Sequence, residues 1–152
     1  MQDEKELTGP INDEVKTLVH AFKKSVRTYP DKEFLGRRDE SQEGAPYVWK
    51  TYKECDAFVT NLAKGIKALD MMPDVEAEGR KWNFMGIYAK NRPEWVLTDL
   101  ACSSLRATTI AFYDTLGPQA IEYVINQTEL STITCAGNCL SKIILLKSQG
   151  KA

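Results

Sequence analysis

Between Asp13 and Thr28 the apolar residues Val15, Leu18, Val19, Phe22 and Val26 recur at helical spacing, the stripe of an amphipathic helix. Tyr29-Pro30-Asp31 closes it, because the residue before a proline is pushed out of the helical region. Two short runs follow, Phe34-Leu35-Gly36 and Tyr47-Val48-Trp49, separated by a polar turn from Arg38 to Pro46. They predict a hairpin with a long loop. At Thr51 the helical period returns: Cys55, Phe58, Val59, Leu62, Ile66 and Leu69 carry it to about Asp70. Thr51 and Glu54 have capping-box spacing, in which each side chain satisfies a backbone N–H of the other residue. Met71 to Lys81 is polar, contains Pro73 and Gly79, and reads as a connection.

From Trp82 onward the pattern changes. Phe84 to Ala89 is nearly continuous apolar sequence, as in a strand buried on both faces. Asn91-Arg92-Pro93-Glu94 predicts a helix start, with Asn91 as N-cap, Pro93 in the first turn and Glu94 at the third position. The helix that follows is apolar almost all round, which predicts Trp95 in the core. Thr108–Tyr113 and Ser131–Cys135 read as two more buried strands. Between them Gly117-Pro118 opens a helix with Ile121, Val124 and Ile125 on one face, and Gly137 to Lys147 carries a last helical pattern. Strands alternating with helices require crossover connections. The fold class is therefore α/β: a partial doubly wound, mostly parallel sheet with flanking helices, preceded by a helix and a short β-hairpin.

The chain has 152 residues, the size of one domain. Residues 1–12 are expected to be a flexible lead-in and 13–152 a folded unit. With 20 basic and 21 acidic side chains the formal charge is −1, which argues against nucleic acid as a partner. Lys23, Lys24 and Arg27 read as a solvated helix face. The charged start MQDEKELTGP does not read as a secretory signal, and the run Ile143–Leu146 is too short to span a bilayer. The expected location is intracellular, in the cytoplasm or peripheral on an organelle membrane. In that setting Cys55, Cys102, Cys135 and Cys139 are expected as free thiols, and the sequon at Asn126 as chance. His20 is the one histidine, with no Ser or Cys at a suggestive spacing, so neither a zinc site nor a catalytic triad is expected.

Candidate chemistry concentrates at two junctions. Tyr113-Asp114-Thr115-Leu116-Gly117 lies where a parallel strand ends and a helix begins, and ligands of open α/β sheets collect at such ends. The same residues also make a good turn, with Asp114 or Thr115 capping the next helix, and that reading is favoured. Arg92 could bind an anion, but a capped helix start accounts for its neighbourhood better. The sequence holds no G-x-x-x-x-G-K-[ST], no G-x-G-x-x-G and no G-x-S-x-G.

Pro46–Glu54, Gly86–Trp95, Leu97–Cys102, Tyr113–Pro118 and Glu122–Asn126 together resemble the N-terminal part of the long-chain acyl-CoA synthetases, the AMP-forming fatty acid–CoA ligases of the adenylate-forming superfamily. The resemblance runs from about Thr17 to Ile133. The Met71–Lys81 connection is longer and more polar than the turn usual there, and the last residues match poorly. The resemblance implies that residues 13–152 form part of an AMP-binding N-terminal domain. It also implies ATP, Mg and CoA as cofactors of the complete enzyme, and a fatty acid as its substrate. The motifs that hold the phosphates, adenine, magnesium and ribose lie beyond the region covered. No residue of this chain is carried over as catalytic, cofactor-binding or metal-ligating, and no cofactor is expected on it alone. Asp114 and Arg92 match positions that look architectural. Two functions follow as expectations: the opening segment of a ligase, inactive by itself, or a truncated relict serving as a non-catalytic structural or interaction subunit. Either way a protein partner covering the sheet is expected, and the isolated chain should be poorly soluble.

Overall fold

The computed structural model describes residues 13–151. The first helix, α1 (Leu18–Thr28), begins at Leu18 rather than Asp13. Thr17 is its N-cap, and the Thr17 hydroxyl accepts the His20 N–H at 3.2 Å. This cap overrides the apolar stripe: Leu18 is 76% exposed, and Phe22 is the stripe's buried residue. The lead-in expected over residues 1–12 lies outside the described residues.

The predicted hairpin forms from β1 (Glu33–Arg38) and β2 (Tyr47–Thr51), antiparallel, with a bulge between Glu33 and Leu35. Thr51 ends β2 and caps α2 (Tyr52–Ala68). Glu54 N–H donates to the Thr51 hydroxyl at 3.2 Å, and Thr51 N–H donates to the Glu54 carboxylate at 2.8 Å, as the capping box requires.

The connection Met71–Lys81 is not a plain loop. It holds a second hairpin, β3 (Val75–Ala77) and β4 (Arg80–Trp82), turned by Glu78 and Gly79 at φ 55° and 73°. Two consecutive positive φ values make the twist that suits a two-residue hairpin turn. The Arg80 guanidinium stacks 3.5 Å over the Trp82 ring, and Lys81 pairs with Asp74 at 2.8 Å. Three-residue strands carrying Glu76, Arg80 and Lys81 are too short and too polar to show a hydrophobic period.

The main sheet has three parallel strands in the order β6-β5-β7: β5 (Phe84–Tyr88), β6 (Thr108–Phe112) and β7 (Ile133–Cys135). The connections are α3 (Pro93–Ser104) and α4 (Pro118–Gln127), and α5 (Gly137–Ser148) follows β7. Met85 and Tyr88 lie an odd number of positions apart in β5, so they point to opposite faces. Met85 packs with Phe22, Val59, Ile66, Leu97 and Ala101 from α1, α2 and α3. Tyr88 packs with Phe112, Ile121, Ile125 and Leu146, the α4–α5 side. Helices thus cover both faces, the doubly wound arrangement.

The expectation of three strands buried on both faces is corrected. β5 is central and buried; β6 and β7 are edges with exposed positions at Thr108, Ala111 and Thr134. Each has a neighbour on one side alone, so its outer residues stay in solvent. No described helix is long and apolar enough to cross a membrane.

Candidate functional site

At the carboxyl ends of the strands β5 leads into α3 on one face, while β6 and β7 lead into α4 and α5 on the other. Neighbouring strands whose connections leave in opposite directions open a crevice between them. Here that crevice, of about 350 Å³, is lined by Ile87 and Ala89 after β5, Trp95 of α3, and Thr134 to Gly137 around the end of β7, together with Arg92 and Glu94. Trp95 is half-buried against this space rather than in the core, a correction to the sequence-based expectation.

The N-cap of α3 is Arg92, not Asn91, with no side-chain cap bond; Pro93 takes the first helical position. The reason is Pro93, which as the first helical residue holds the residue before it in extended backbone (Arg92 φ −159°, ψ 157°); Arg92 Nε also meets a Glu94 oxygen at 2.7 Å. That contact holds the Glu94 carboxyl below the usual carboxylate range and raises the Arg92 guanidinium further. The pair engages Arg92 with Glu94 while leaving the guanidinium charged.

On the other face Asp114 closes a second cluster. Its carboxylate pairs with Lys90 at 3.4 Å, and its backbone carbonyl accepts from Lys142 Nζ at 3.2 Å. Lys142 also donates to the Tyr88 hydroxyl at 3.2 Å, which satisfies the polar end of a fully buried ring. One lysine of α5 thereby ties the centre strand to the β6–α4 turn. The turn itself is real: Leu116 N–H donates to the Tyr113 carbonyl at 3.0 Å. The capping expected of Asp114 or Thr115 is not, because Gly117 is the N-cap of α4 and α4 has no side-chain cap bond. Lys142 was invisible in the sequence, since its partners lie 54 and 28 positions away.

The remaining candidates are scattered. His20 is exposed on α1, its Nδ1 accepting the Lys16 N–H at 3.4 Å. All four cysteines are free thiols. Burial, then the nearby Asp99 carboxylate, pushes the Cys102 thiol up to about 11; burial, then Cys139, raises Cys135. A raised thiol is a poor nucleophile. Among the described residues no group of three or more His, Cys, Asp or Glu could hold a metal ion. The two clusters supply positioning: one ion pair beside an apolar crevice, and one lysine latch.

The family profile described as AMP-binding enzyme matches residues 22–151. The chain belongs to the AMP-binding enzyme family. Long chain acyl-CoA synthetase 1 of Arabidopsis thaliana is 33% identical over 125 residues, covering 82% of this chain and 18% of that protein. Long-chain-fatty-acid–CoA ligase 1 of Cavia porcellus is 32% identical over 141 residues, covering 91% and 19%. Among solved structures, a fatty acyl CoA synthetase of Mycobacterium tuberculosis superposes with a TM-score of 0.69 at 13% identity, covering 90% of this chain and 24% of that one. The chain thus spans about a fifth of the length of the curated relatives it matches.

In this AMP-binding family chain three of the stretches that carried the resemblance fall on junctions, while Leu97–Cys102 and Glu122–Asn126 lie within α3 and α4. Pro46–Glu54 runs through β2 into the capped start of α2. Gly86–Trp95 joins the centre strand to α3, and Tyr113–Pro118 is the turn held by Lys142.

Proposed function

We propose that this chain is the opening segment of a long-chain fatty acid–CoA ligase. The complete reaction is ATP, fatty acid and CoA giving acyl-CoA, AMP and pyrophosphate. The single observation that carries the reading is identity of 31–35% to proteins named as CoA ligases or acyl-CoA synthetases, most of them long-chain, over most of this chain. The parallel β-α-β-α-β order agrees with it.

This segment supplies scaffold. ATP, Mg and CoA belong to the complete enzyme, and the described residues do not fit them: they include no cluster able to hold a metal ion, and the chain has no glycine-rich phosphate loop. No step of the reaction is assigned to its side chains. The lead-in over residues 1–12 and the partial AMP-binding domain over 13–152 remain our domain division. We take the protein to act inside the cell, in the cytoplasm or at an organelle membrane; one relative, from Penicillium roqueforti, is named a peroxisomal ligase.

The test is ATP–pyrophosphate exchange with a saturated long-chain fatty acid. The 152-residue chain alone should give none, and exchange from it would overturn its scaffold role. Transplanted in place of the matching portion of the Cavia porcellus ligase, it should support exchange. A folded chimera without exchange would overturn the ligase assignment and favour the non-catalytic relict.

A further inference from the structure

Two of the four free thiols lie together at the end of β7. Cys135 is the last residue of β7 and pairs in register with Tyr88 of β5. Side chains of directly paired residues project to the same face of a sheet, so Cys135 faces the Tyr88 side. Cys139 is buried on that side, in the cluster of Tyr88, Phe112 and Leu146, and Cys135 packs against the same cluster. The chain reverses between them. The Cys139 N–H donates to the Ala136 carbonyl at 2.8 Å, which folds the first turn of α5 back over the strand end. The two thiols interact: after burial, Cys139 is what raises Cys135.

Access separates this pair from Cys55 and Cys102. Those two are fully buried in the cluster on the other face and behave as small apolar side chains. Cys135 is half-buried, on an edge strand, and belongs to the wall of the crevice. An oxidant as small as hydrogen peroxide reaches it from solvent. Cys139, 2% exposed, is reached through Cys135. A reachable thiol with a buried thiol beside it is the arrangement of an attacked and a resolving cysteine.

We propose that Cys135 and Cys139 form an oxidative modification site, in which Cys135 takes an oxygen from hydrogen peroxide and Cys139 closes a disulfide. The Cys135 sulfur attacks one peroxide oxygen and the O–O bond breaks. Water leaves with the thiol proton, and Cys135 becomes a sulfenic acid. The Cys139 sulfur then attacks the Cys135 sulfur. The S–S bond forms, the S–O bond breaks, and a second water leaves with the Cys139 proton. The two sulfurs lose two electrons and the peroxide gains them, so two thiols and one peroxide give one disulfide and two waters. Burial keeps the first step slow, and the site answers sustained rather than brief exposure. The bridge ties the end of β7 to α5, whose N-terminus has no side-chain cap bond. The site is independent of the ligase reading.

The test treats the folded 152-residue chain with hydrogen peroxide, blocks the remaining thiols and digests it with trypsin. Both cysteines fall in one peptide, Ala107–Lys142, because no Lys or Arg lies between those ends. That peptide should become two hydrogens lighter, with Cys55 and Cys102 recovered as blocked thiols. In Cys139→Ser, dimedone, a trap for sulfenic acids, should label Cys135. In Cys135→Ser neither the mass loss nor the label should appear. Circular dichroism checks the fold of each variant, and if either unfolds the peptide map of the unaltered chain decides alone. A bond to Cys55 or Cys102, a bond between two chains, Cys135 carried on to sulfinic acid without a bridge, or no reaction at all would each overturn the pair.

Discussion

Gly86 shows how tightly one position in the centre strand is specified. A Cβ there would lie 2.9 Å from Ile133 Cγ1 and from Leu130 Cδ2, and 3.1 Å from Phe112 Cε2. Three side chains of one packed cluster would have to move, and overpacking of this kind costs about 1–3 kcal/mol. Gly86→Ala should lower the urea midpoint accordingly; an unchanged midpoint would show the cluster to be loose. Arg106 is the opposite case. It follows α3 in the left-handed region at φ 62°, where a Cβ is crowded, and the Ala107 N–H closes the helix end on the Cys102 carbonyl at 2.9 Å. Arg106→Gly relieves that crowding and should raise stability by about 0.5–1 kcal/mol, read from the same urea titration.

The elements differ in how local their causes are. The start of α2 rests on Thr51 and Glu54, three positions apart, and both of its hydrogen bonds were legible as a spacing. Thr51→Ala should cost about 1 kcal/mol of stability at neutral pH, measurable by thermal melting. The start of α1 was misread because an apolar stripe ran through its cap, and β3–β4 because a short polar hairpin carries no hydrophobic period. Asn91 and Arg92 illustrate a closer contest. Asn91 has the better capping side chain, but Pro93 at the first helical position makes the residue before it, Arg92, the N-cap.

At the scale of the molecule the perturbed carboxyls among the described residues share one sign. Hydrogen bonds lower Glu14 through Lys24, Asp39 through Ser41 and Gln42, Glu54 through Thr51, Asp74 through Lys81 and Asn83, and Glu94 through Arg92. A group lowered in the folded state contributes stability above its unfolded value and loses it as pH falls through the folded one. The unfolded values are 3.8 for Asp and 4.5 for Glu. Lys81 and Arg92 are raised, so their contributions fade only in strongly basic solution, well outside that window. The urea midpoint should therefore hold from pH 7 to about 5 and fall progressively below about 4.5. A midpoint that rises on acidification would contradict the hydrogen-bonded arrangement.

The sequence by itself determined the order of the α and β elements from β5 onward, the hairpin before them, the capping box and the family resemblance. Each of these rests on near neighbours or on a repeating apolar period, which a linear reading can see. The tertiary structure alone decided that β5 is central and β6 and β7 are edges, that Trp95 borders a crevice, and that Lys142 reaches Tyr88 and Asp114. Strand order depends on which way each crossover runs, and Lys142 meets its partners through space rather than along the chain. Neither leaves a mark in local spacing.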